Sequence, residues 1–198
     1  MEGSALAQNC DITLMRKALA SLGDLPTESE RPFLVVVSGL PGTGKSYFSA
    51  RLAEPLPAVV VETDAVRKAL FGSPAYDWRE NRRLFPVVHA LLRRLLYHRR
   101  SVIFDATTLI EANRRPLYRI ADETGARLVI VLLEAPEEVV KQRLEARRRE
   151  PGCRSDADWE VYLRLRARRE RITRPHFTVD SSRDVSEDLE RLARAAVE

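Results

Sequence analysis

Short runs of consecutive apolar residues alternate along the chain with longer segments in which apolar residues recur every three or four positions. The apolar runs predict five strands, over residues 33–37, 58–62, 101–105, 127–133 and 177–180. The periodic segments predict helices over residues 45–53, 64–71, about 84–98, 111–124, 136–149, 156–172 and 185–196. Runs that are apolar throughout are typical of strands buried on both faces, so the pattern predicts an α/β fold with a parallel sheet covered by helices. Right-handed crossovers then bring the carboxyl ends of the strands to one edge, where such sheets bind their ligands.

Residues 1–30 precede this alternation. Within them, one segment has a helical pattern that Asp11 is placed to cap, and its apolar positions are Ile12, Met15, Leu19 and Leu22. Residues 25–30 have the composition of a linker. We therefore divide the chain into an N-terminal helical extension with its linker, residues 1–30, and one domain, residues 31–198. The extension is expected to lie on the outside of the domain or to form a partner-binding surface.

The composition fits a globular protein, with 198 residues, 44% hydrophobic and 31% charged. The N-terminus does not resemble a signal peptide, and no apolar run reaches membrane-spanning length, so we expect a cytoplasmic protein without a membrane partner. Cys10 and Cys153 lie far apart in sequence and predict neither a disulfide nor a zinc site.

The net charge is +4, and 29 of the 33 basic residues are Arg. A basic middle segment is suited to nucleic acid, or to the phosphates of ATP and of an anionic acceptor. Charge alone does not separate these interpretations.

The strongest motif lies between the first predicted strand and the first predicted helix. Residues 39–46 read Gly-Leu-Pro-Gly-Thr-Gly-Lys-Ser, which is the phosphate-binding pattern G-x-x-x-x-G-K-[ST] in its strand–loop–helix context. Glycines let backbone N–H groups close around a triphosphate, Lys45 reaches the outer phosphates, and the Ser46 hydroxyl is placed to bind Mg²⁺. An ordinary glycine-rich turn would not require the Lys and the Ser. The residues predicted to bind ATP here are Gly39, Pro41, Gly42, Thr43, Gly44, Lys45, Ser46 and Tyr47.

The second strand ends just before Asp64 and Arg67, which are three residues apart and so share one face of the following helix. A hydroxyl acceptor needs a carboxylate to take its proton, and a nearby cation can hold an anionic acceptor or steady the carboxylate. This predicts catalytic roles for both residues. The alternative is that Thr63 or Asp64 caps the helix and that Arg67 lies on a solvated face.

The third strand ends in Asp105, followed by Ala106. A carboxylate at this position suits a Mg²⁺ site beside Ser46. Because Ala and not Glu follows it, the chain lacks the water-activating carboxylate of motor-type ATPases. It also lacks an Asn-Lys-x-Asp guanine-binding motif, which argues against a GTPase switch. The alternative for Asp105 is an ordinary turn residue at a strand end.

Arginines are frequent in the later helices. Arg143 and Arg147 are one helical turn apart, and we predict that they contact the ATP phosphates and that Arg147 also stabilises the transition state. They belong to a predicted lid over about residues 143–157, which would exclude water from the site. Arg114 and Arg115 either line the acceptor crevice or lie on a solvated helix face, and the second interpretation is favoured.

The combination of the phosphate-binding loop, Asp-x-x-Arg after the second strand and Asp-Ala-Thr after the third resembles the polynucleotide-kinase and zeta-toxin-like branch of P-loop kinases, an AAA-type ATP-binding kinase-like family. The resemblance covers about residues 31–198. It implies that Asp64 activates the acceptor hydroxyl, that Arg67 contacts an acceptor phosphate, and that Asp105 organises the metal or the acceptor. It also implies a strand order of 2-3-1-4-5 and a helical lid.

These observations predict an ATP- and Mg²⁺-dependent kinase with five catalytic residues, Lys45, Asp64, Arg67, Asp105 and Arg147. The metal ligands are expected to be Ser46 and Asp105. The acceptor is either a polynucleotide 5′-hydroxyl or a small molecule, including a nucleotide sugar of the zeta-toxin type. The alternative from another class is a non-catalytic ATP-binding module.

Overall fold

The computed structural model describes residues 13–148 and 158–198. It contains five strands, β1 (Phe33–Gly39), β2 (Ala58–Glu62), β3 (Ser101–Asp105), β4 (Arg127–Glu134) and β5 (Phe177–Asp180). Helix α1 spans residues 13–20 of the described chain. The other helices are α2 (Lys45–Ala53), α3 (Thr63–Phe71), α4 (Trp78–Tyr97), α5 (Glu111–Thr124), α6 (Glu137–Arg148), α7 (Trp159–Ala167) and α8 (Ser186–Val197).

The strands form one parallel sheet in the order β2-β3-β1-β4-β5, which confirms the predicted fold and strand order. Asp105 at the end of β3 lies opposite Val37 of β1 and opposite Glu62 of β2. The register therefore brings the carboxyl ends of the three strands to one edge. The phosphate-binding loop follows β1 at that edge.

Both faces of the sheet are buried, which explains why the strands are apolar throughout. Leu34 and Val36 of β1 point into a cluster with residues of α1, α3, α4 and α5. Phe33, Val35 and Val37 point to the other face and pack against α2 and α8. The sheet thus has helices on both sides and holds the loops of the site on a rigid frame.

Two helices differ from the prediction. Helix α4 begins at Trp78, six residues earlier than expected, because the Asp77 side chain caps it by accepting a 2.8 Å hydrogen bond from the Glu80 N–H. Pro86 lies inside this helix. Helix α7 ends at Ala167 and not at 172. Beyond it, the Glu170 N–H donates to the Leu109 carbonyl at 3.0 Å and not to a carbonyl within the helix. Its predicted start at residue 156 lies outside the described residues.

The N-terminal helix packs on the sheet. Leu14 and Ala18 of α1 are buried in the same cluster as the apolar face of α4. The following linker is held by Arg99, whose guanidinium donates to the carbonyls of Ser29 at 3.2 Å and Glu30 at 2.6 Å. Asp11, the predicted cap, lies outside the described residues, and the division of the chain at residue 30 stays a prediction.

Within the described chain, none of the helices combines the length and the apolar character needed to span a lipid bilayer.

Candidate functional site

A cavity of about 720 Å³ lies at the carboxyl edge of the sheet. Its floor is the phosphate-binding loop and the ends of β2 and β3, and helices α3 to α7 supply its walls. The polar and charged residues that line it are Lys45, Ser46, Glu62, Thr63, Asp64, Arg67, Tyr76, Asn81, Asp105, Thr107, Asn113, Arg147, Arg164 and Arg168. The fold therefore brings together residues that are far apart in sequence.

Glycines shape the phosphate-binding loop. Gly42 and Gly44 have φ angles of +80° and +84°, which residues with a Cβ rarely adopt. A Cβ on Gly42 would lie 2.8 Å from Cγ1 of Val140, and one on Gly39 would lie 2.7 Å from the Leu133 carbonyl oxygen. The loop therefore packs closely against β4 and α6, and it leads directly into the N-terminus of α2, which favours anions.

Ser46 and Asp105 are hydrogen-bonded at the base of the cavity, and Lys45 lies close enough for its charge to interact with that of Asp105. The Ser46 hydroxyl donates to Asp105 Oδ2 at 2.7 Å, and the ammonium of Lys45 donates to the Leu40 carbonyl at 3.0 Å. Burial lowers the pKa of Lys45 and raises the pKa of Asp105, while the opposite charges of the two residues act against these shifts. The predicted metal ligands, Ser46 and Asp105, are thus in direct contact.

Asp64 lines the same cavity in the first turn of α3. It does not cap the helix, because the cap position is Glu62, and the Thr63 hydroxyl donates instead to the Asp105 carbonyl at 3.0 Å. Burial raises the pKa of Asp64, and the nearby charges of Arg67 and Lys45 oppose that effect. Asp64 therefore lies in the cavity, close enough to Lys45 for the two charges to interact.

Arg67 is buried, with 6% of its surface exposed, so the solvated alternative is wrong. Its two terminal nitrogens donate to Glu80 Oε2 at 3.0 Å and to Asn81 Oδ1 at 2.7 Å. The guanidinium carbon lies 5.0 Å from the centre of the Tyr76 ring. Arg67 thus joins α3 to the beginning of α4.

The two arginines predicted to contact ATP phosphates are placed differently. Arg147 lines the cavity, and its positive charge acts on Lys45 and Asp105. Arg143 donates to the hydroxyl and the carbonyl of Ser181, at 3.0 and 2.7 Å, and its Nη1 lies close to Gly44. Tyr47 is 65% exposed on α2 and contacts Arg51. Contacts of these residues with ATP stay predictions.

Several cavity residues were not predicted from the sequence. Tyr76, Asn81 and Phe85 line the wall formed by the beginning of α4. The signal that identifies them is the pair Asp77 and Glu80, an acidic cap followed three residues later by Glu, which marks a helix start. Three further residues come from α5, from α7 and from the position after α7, namely Asn113, Arg164 and Arg168.

The predicted alternatives for Arg114 are both wrong, because its side chain is 1% exposed and does not line the cavity. It donates to the carbonyls of Thr108 and Arg171 and to Glu111. Arg115 is solvated, as favoured. Both cysteines and residues 149–157 of the predicted lid lie outside the described residues.

Comparison with protein families classifies the chain. Residues 34–172 match the AAA domain family. The chain belongs to this family. The match agrees with the AAA-type kinase-like family expected from the motifs. The polynucleotide-kinase and zeta-toxin-like branch is a finer assignment and stays a prediction.

The proteins to which this AAA-domain chain is similar include kinases. It is 32% identical to an adenylate kinase of Thermus thermophilus over 146 residues, which cover 69% of this chain and 77% of that enzyme. It is 29% identical to an L-seryl-tRNA(Sec) kinase of Methanococcus maripaludis over 56% of this chain, but it spans only 44% of that relative. Chaetomium thermophilum Kti12, solved in complex with ADP-AlF3, shares the fold, with a TM-score of 0.65, 20% identity and coverage of 83% and 99% of the two chains.

Proposed function

We propose that the protein is an ATP- and Mg²⁺-dependent kinase that transfers the γ-phosphate of ATP to a hydroxyl group, with Asp64 as the general base. The observation that carries this proposal is that Asp64 lines the same cavity as Lys45 and the Ser46–Asp105 pair. The kinases among the homologues and the P-loop fold support the kinase part of the proposal. Their names cover different acceptors, so the homologues do not identify the acceptor of this chain.

The residues present fit ATP. In the loop at residues 39–46, Gly42 and Gly44 have positive φ. A Cβ on Gly42 would clash with Val140, and one on Gly39 would clash with Leu133. Only a loop without those side chains can turn its N–H groups toward a triphosphate. Lys45 at the beginning of α2 supplies a cation for the outer phosphates, and Arg147 supplies a second from α6.

The residues present also fit Mg²⁺. Ser46 Oγ and Asp105 Oδ2 are 2.7 Å apart, and hydroxyl and carboxylate oxygens are the ligands that Mg²⁺ accepts beside water and phosphate. Among the described residues there is no group of three His, Cys, Asp or Glu that could hold a metal alone. That agrees with a Mg²⁺ site that depends on the nucleotide. Bound Mg·ATP would supply the phosphoryl group and the divalent charge that offsets its oxygens.

Asp64 would take the proton of the acceptor hydroxyl while the hydroxyl oxygen forms a bond to the γ-phosphorus. The bond from that phosphorus to the bridging oxygen breaks, and ADP leaves. Burial raises the pKa of Asp64, which makes its carboxylate a better base than one in water. Lys45 and Arg147 would stabilise the charge that develops on the transferred group.

A non-catalytic ATP-binding module is the second candidate, and the substitution Asp64→Asn separates the two. A kinase loses about 10²- to 10⁴-fold in kcat when its general base is removed. Its affinity for Mg·ATP should stay within a few-fold, because Asp64 is not in the phosphate-binding loop. Calorimetric titration of ATP and transfer of labelled γ-phosphate measure the two quantities on the same preparations. Wild-type protein that binds Mg·ATP and phosphorylates no acceptor would contradict the kinase.

A further inference from the structure

Arg67 is the residue that the family resemblance assigns to an acceptor phosphate, yet its charge is already paired. Nη1 lies 3.0 Å from Glu80 Oε2, and only 7% and 14% of these two side chains are exposed. Nη2 donates to Asn81. Nε is buried without a hydrogen-bond partner among the described residues. Two of the five guanidinium N–H groups are thus bonded to protein groups, and the carboxylate of Glu80 balances the charge that would attract a phosphate.

Glu80 is itself fixed in place. Its carboxylate accepts hydrogen bonds from the N–H groups of Ala75 at 2.5 Å and Tyr76 at 3.0 Å, in addition to Arg67. These hydrogen bonds lower the pKa of Glu80, and the bond from Ala75 has the largest effect. The Glu80 carboxylate is therefore ionised at neutral pH. A phosphate bound to Arg67 would lie close to the Glu80 carboxylate or would have to replace it, and either arrangement costs electrostatic free energy.

The wall around this pair carries neutral groups. On this wall, formed by the beginning of α4, Asn81 presents an amide and Tyr76 and Phe85 present aromatic rings to the cavity, which Asn113 of α5 also lines. Amides pair with hydroxyl groups, and aromatic faces pack against the apolar faces of ring compounds. The other three arginines that line the cavity come from α6, from α7 and from the residue that follows α7, so they belong to a different wall.

We propose that the acceptor is an uncharged polyhydroxylated ring compound, such as a sugar or a nucleoside, and that the Arg67–Glu80 pair selects against an acceptor with a phosphate near the reacting hydroxyl. This inference rests on the proposed kinase function and narrows it to one substrate class. It disfavours the polynucleotide 5′-end, whose first internucleotide phosphate lies close to the hydroxyl that would react.

Matched acceptors test the inference directly. Labelled γ-phosphate transfer is measured for nucleosides and their 3′-monophosphates, for sugars and their monophosphates, and for an oligonucleotide with a 5′-hydroxyl, at low and high salt. We expect the neutral member of an accepted pair to have a kcat/KM at least about tenfold higher, with little effect of salt. Equal or better use of the phosphorylated member, or of the oligonucleotide, would overturn the inference and leave the kinase intact. Label on no acceptor, with ATP bound, would overturn the proposed function itself.

The substitution Glu80→Gln tests the role of the pair. It keeps the shape of the side chain and an acceptor oxygen for the backbone, but it leaves the Arg67 charge unpaired. We expect the preference for the neutral acceptor to fall by about tenfold, through a lower KM for the phosphorylated one. Glu123→Gln is the matched control, because Glu123 pairs with Arg93 at 2.7 Å on the outer side of α4 and does not line the cavity.

An unchanged preference in folded Glu80→Gln protein would refute the role of the pair. If that variant does not fold, the preference of the wild-type protein for neutral acceptors still decides the inference.

Discussion

At the scale of single residues, Asp64 and Arg67 both line the cavity, but Arg67 is paired with Glu80. Asp64 was predicted as a base because it follows the second strand, and the structure places it in the cavity. The pairing of Arg67 was not predicted, because its partner Glu80 is 13 residues away and depends on where α4 begins. Sequence spacing identifies neighbours within a helix, but not contacts between helices.

Asp64 gives a prediction for the pH dependence of turnover. Since burial raises its pKa, the base becomes protonated, and activity is lost, at a pH above the ordinary aspartate value of 3.8. The kcat/KM profile of the wild-type protein should therefore fall on the acid side with a midpoint above 3.8. Asp64→Asn should remove this limb and leave a low, flat rate.

Single-turnover measurements at saturating Mg²⁺ check this profile, with Asp188→Asn on α8 as the control. An acid limb that persists unchanged in the Asp64→Asn protein would assign the titration to another group.

At the scale of elements, the phosphate-binding loop was predictable because backbone geometry dictates its glycines. The beginning of α4 and the end of α7 were not predicted correctly. The Asp77 cap sets the first, and the chain after the second is bonded to Leu109, far away in sequence. The wall that carries Tyr76 and Asn81 was missed for the same reason. Local propensity is a weaker guide where a tertiary contact sets the boundary.

The packing of the loop against α6 predicts a difference between two glycines. Gly42→Ala requires a left-handed conformation and places Cβ 2.8 Å from Val140 and 3.0 Å from Leu144. Gly125→Ala requires the same conformation, but nothing lies within 4 Å. We expect Gly125→Ala to lower the unfolding free energy by roughly 1–2 kcal/mol, because of the left-handed conformation alone. Gly42→Ala should lower it by roughly 1–3 kcal/mol more than that, because of the added clash. It should also weaken ATP binding by about tenfold or more.

Thermal unfolding and ATP titration of both variants measure these effects. Equal stability and equal ATP affinity of the two would show that the contact with α6 is unimportant.

Adjacent arginines on α5 give a second prediction. Arg114 is buried and joins Thr108, Arg171 and Glu111, whereas the Arg115 side chain is 75% exposed and lies 3.8 Å from Glu111. Arg114→Ala should cost roughly 3–5 kcal/mol of unfolding free energy, because it leaves buried polar groups unpaired. Arg115→Ala should change it by about 0–1 kcal/mol. Urea denaturation of both variants measures the difference, and similar midpoints would contradict a structural role for Arg114.

At the scale of the whole molecule, the alternation of apolar runs and helical patterns was sufficient to predict the sheet and its layers. The strand order came from the family resemblance, and the structure confirms it. The overall basic charge did not indicate the acceptor, because many arginines pair with neighbours, as Arg93 does with Glu123 and Arg166 with Glu137. A few residues on one wall of the cavity would determine the choice of acceptor, and the overall composition does not identify them.

The most direct test of the account is to detect where the γ-phosphate goes. Wild-type protein is incubated with Mg²⁺, γ-labelled ATP and a set of neutral hydroxyl compounds, and the products are separated. We expect label on an organic hydroxyl. It should be absent without Mg²⁺ and reduced about 10²-fold or more by Asp64→Asn. Label found only in inorganic phosphate, or remaining in ATP throughout, would contradict it.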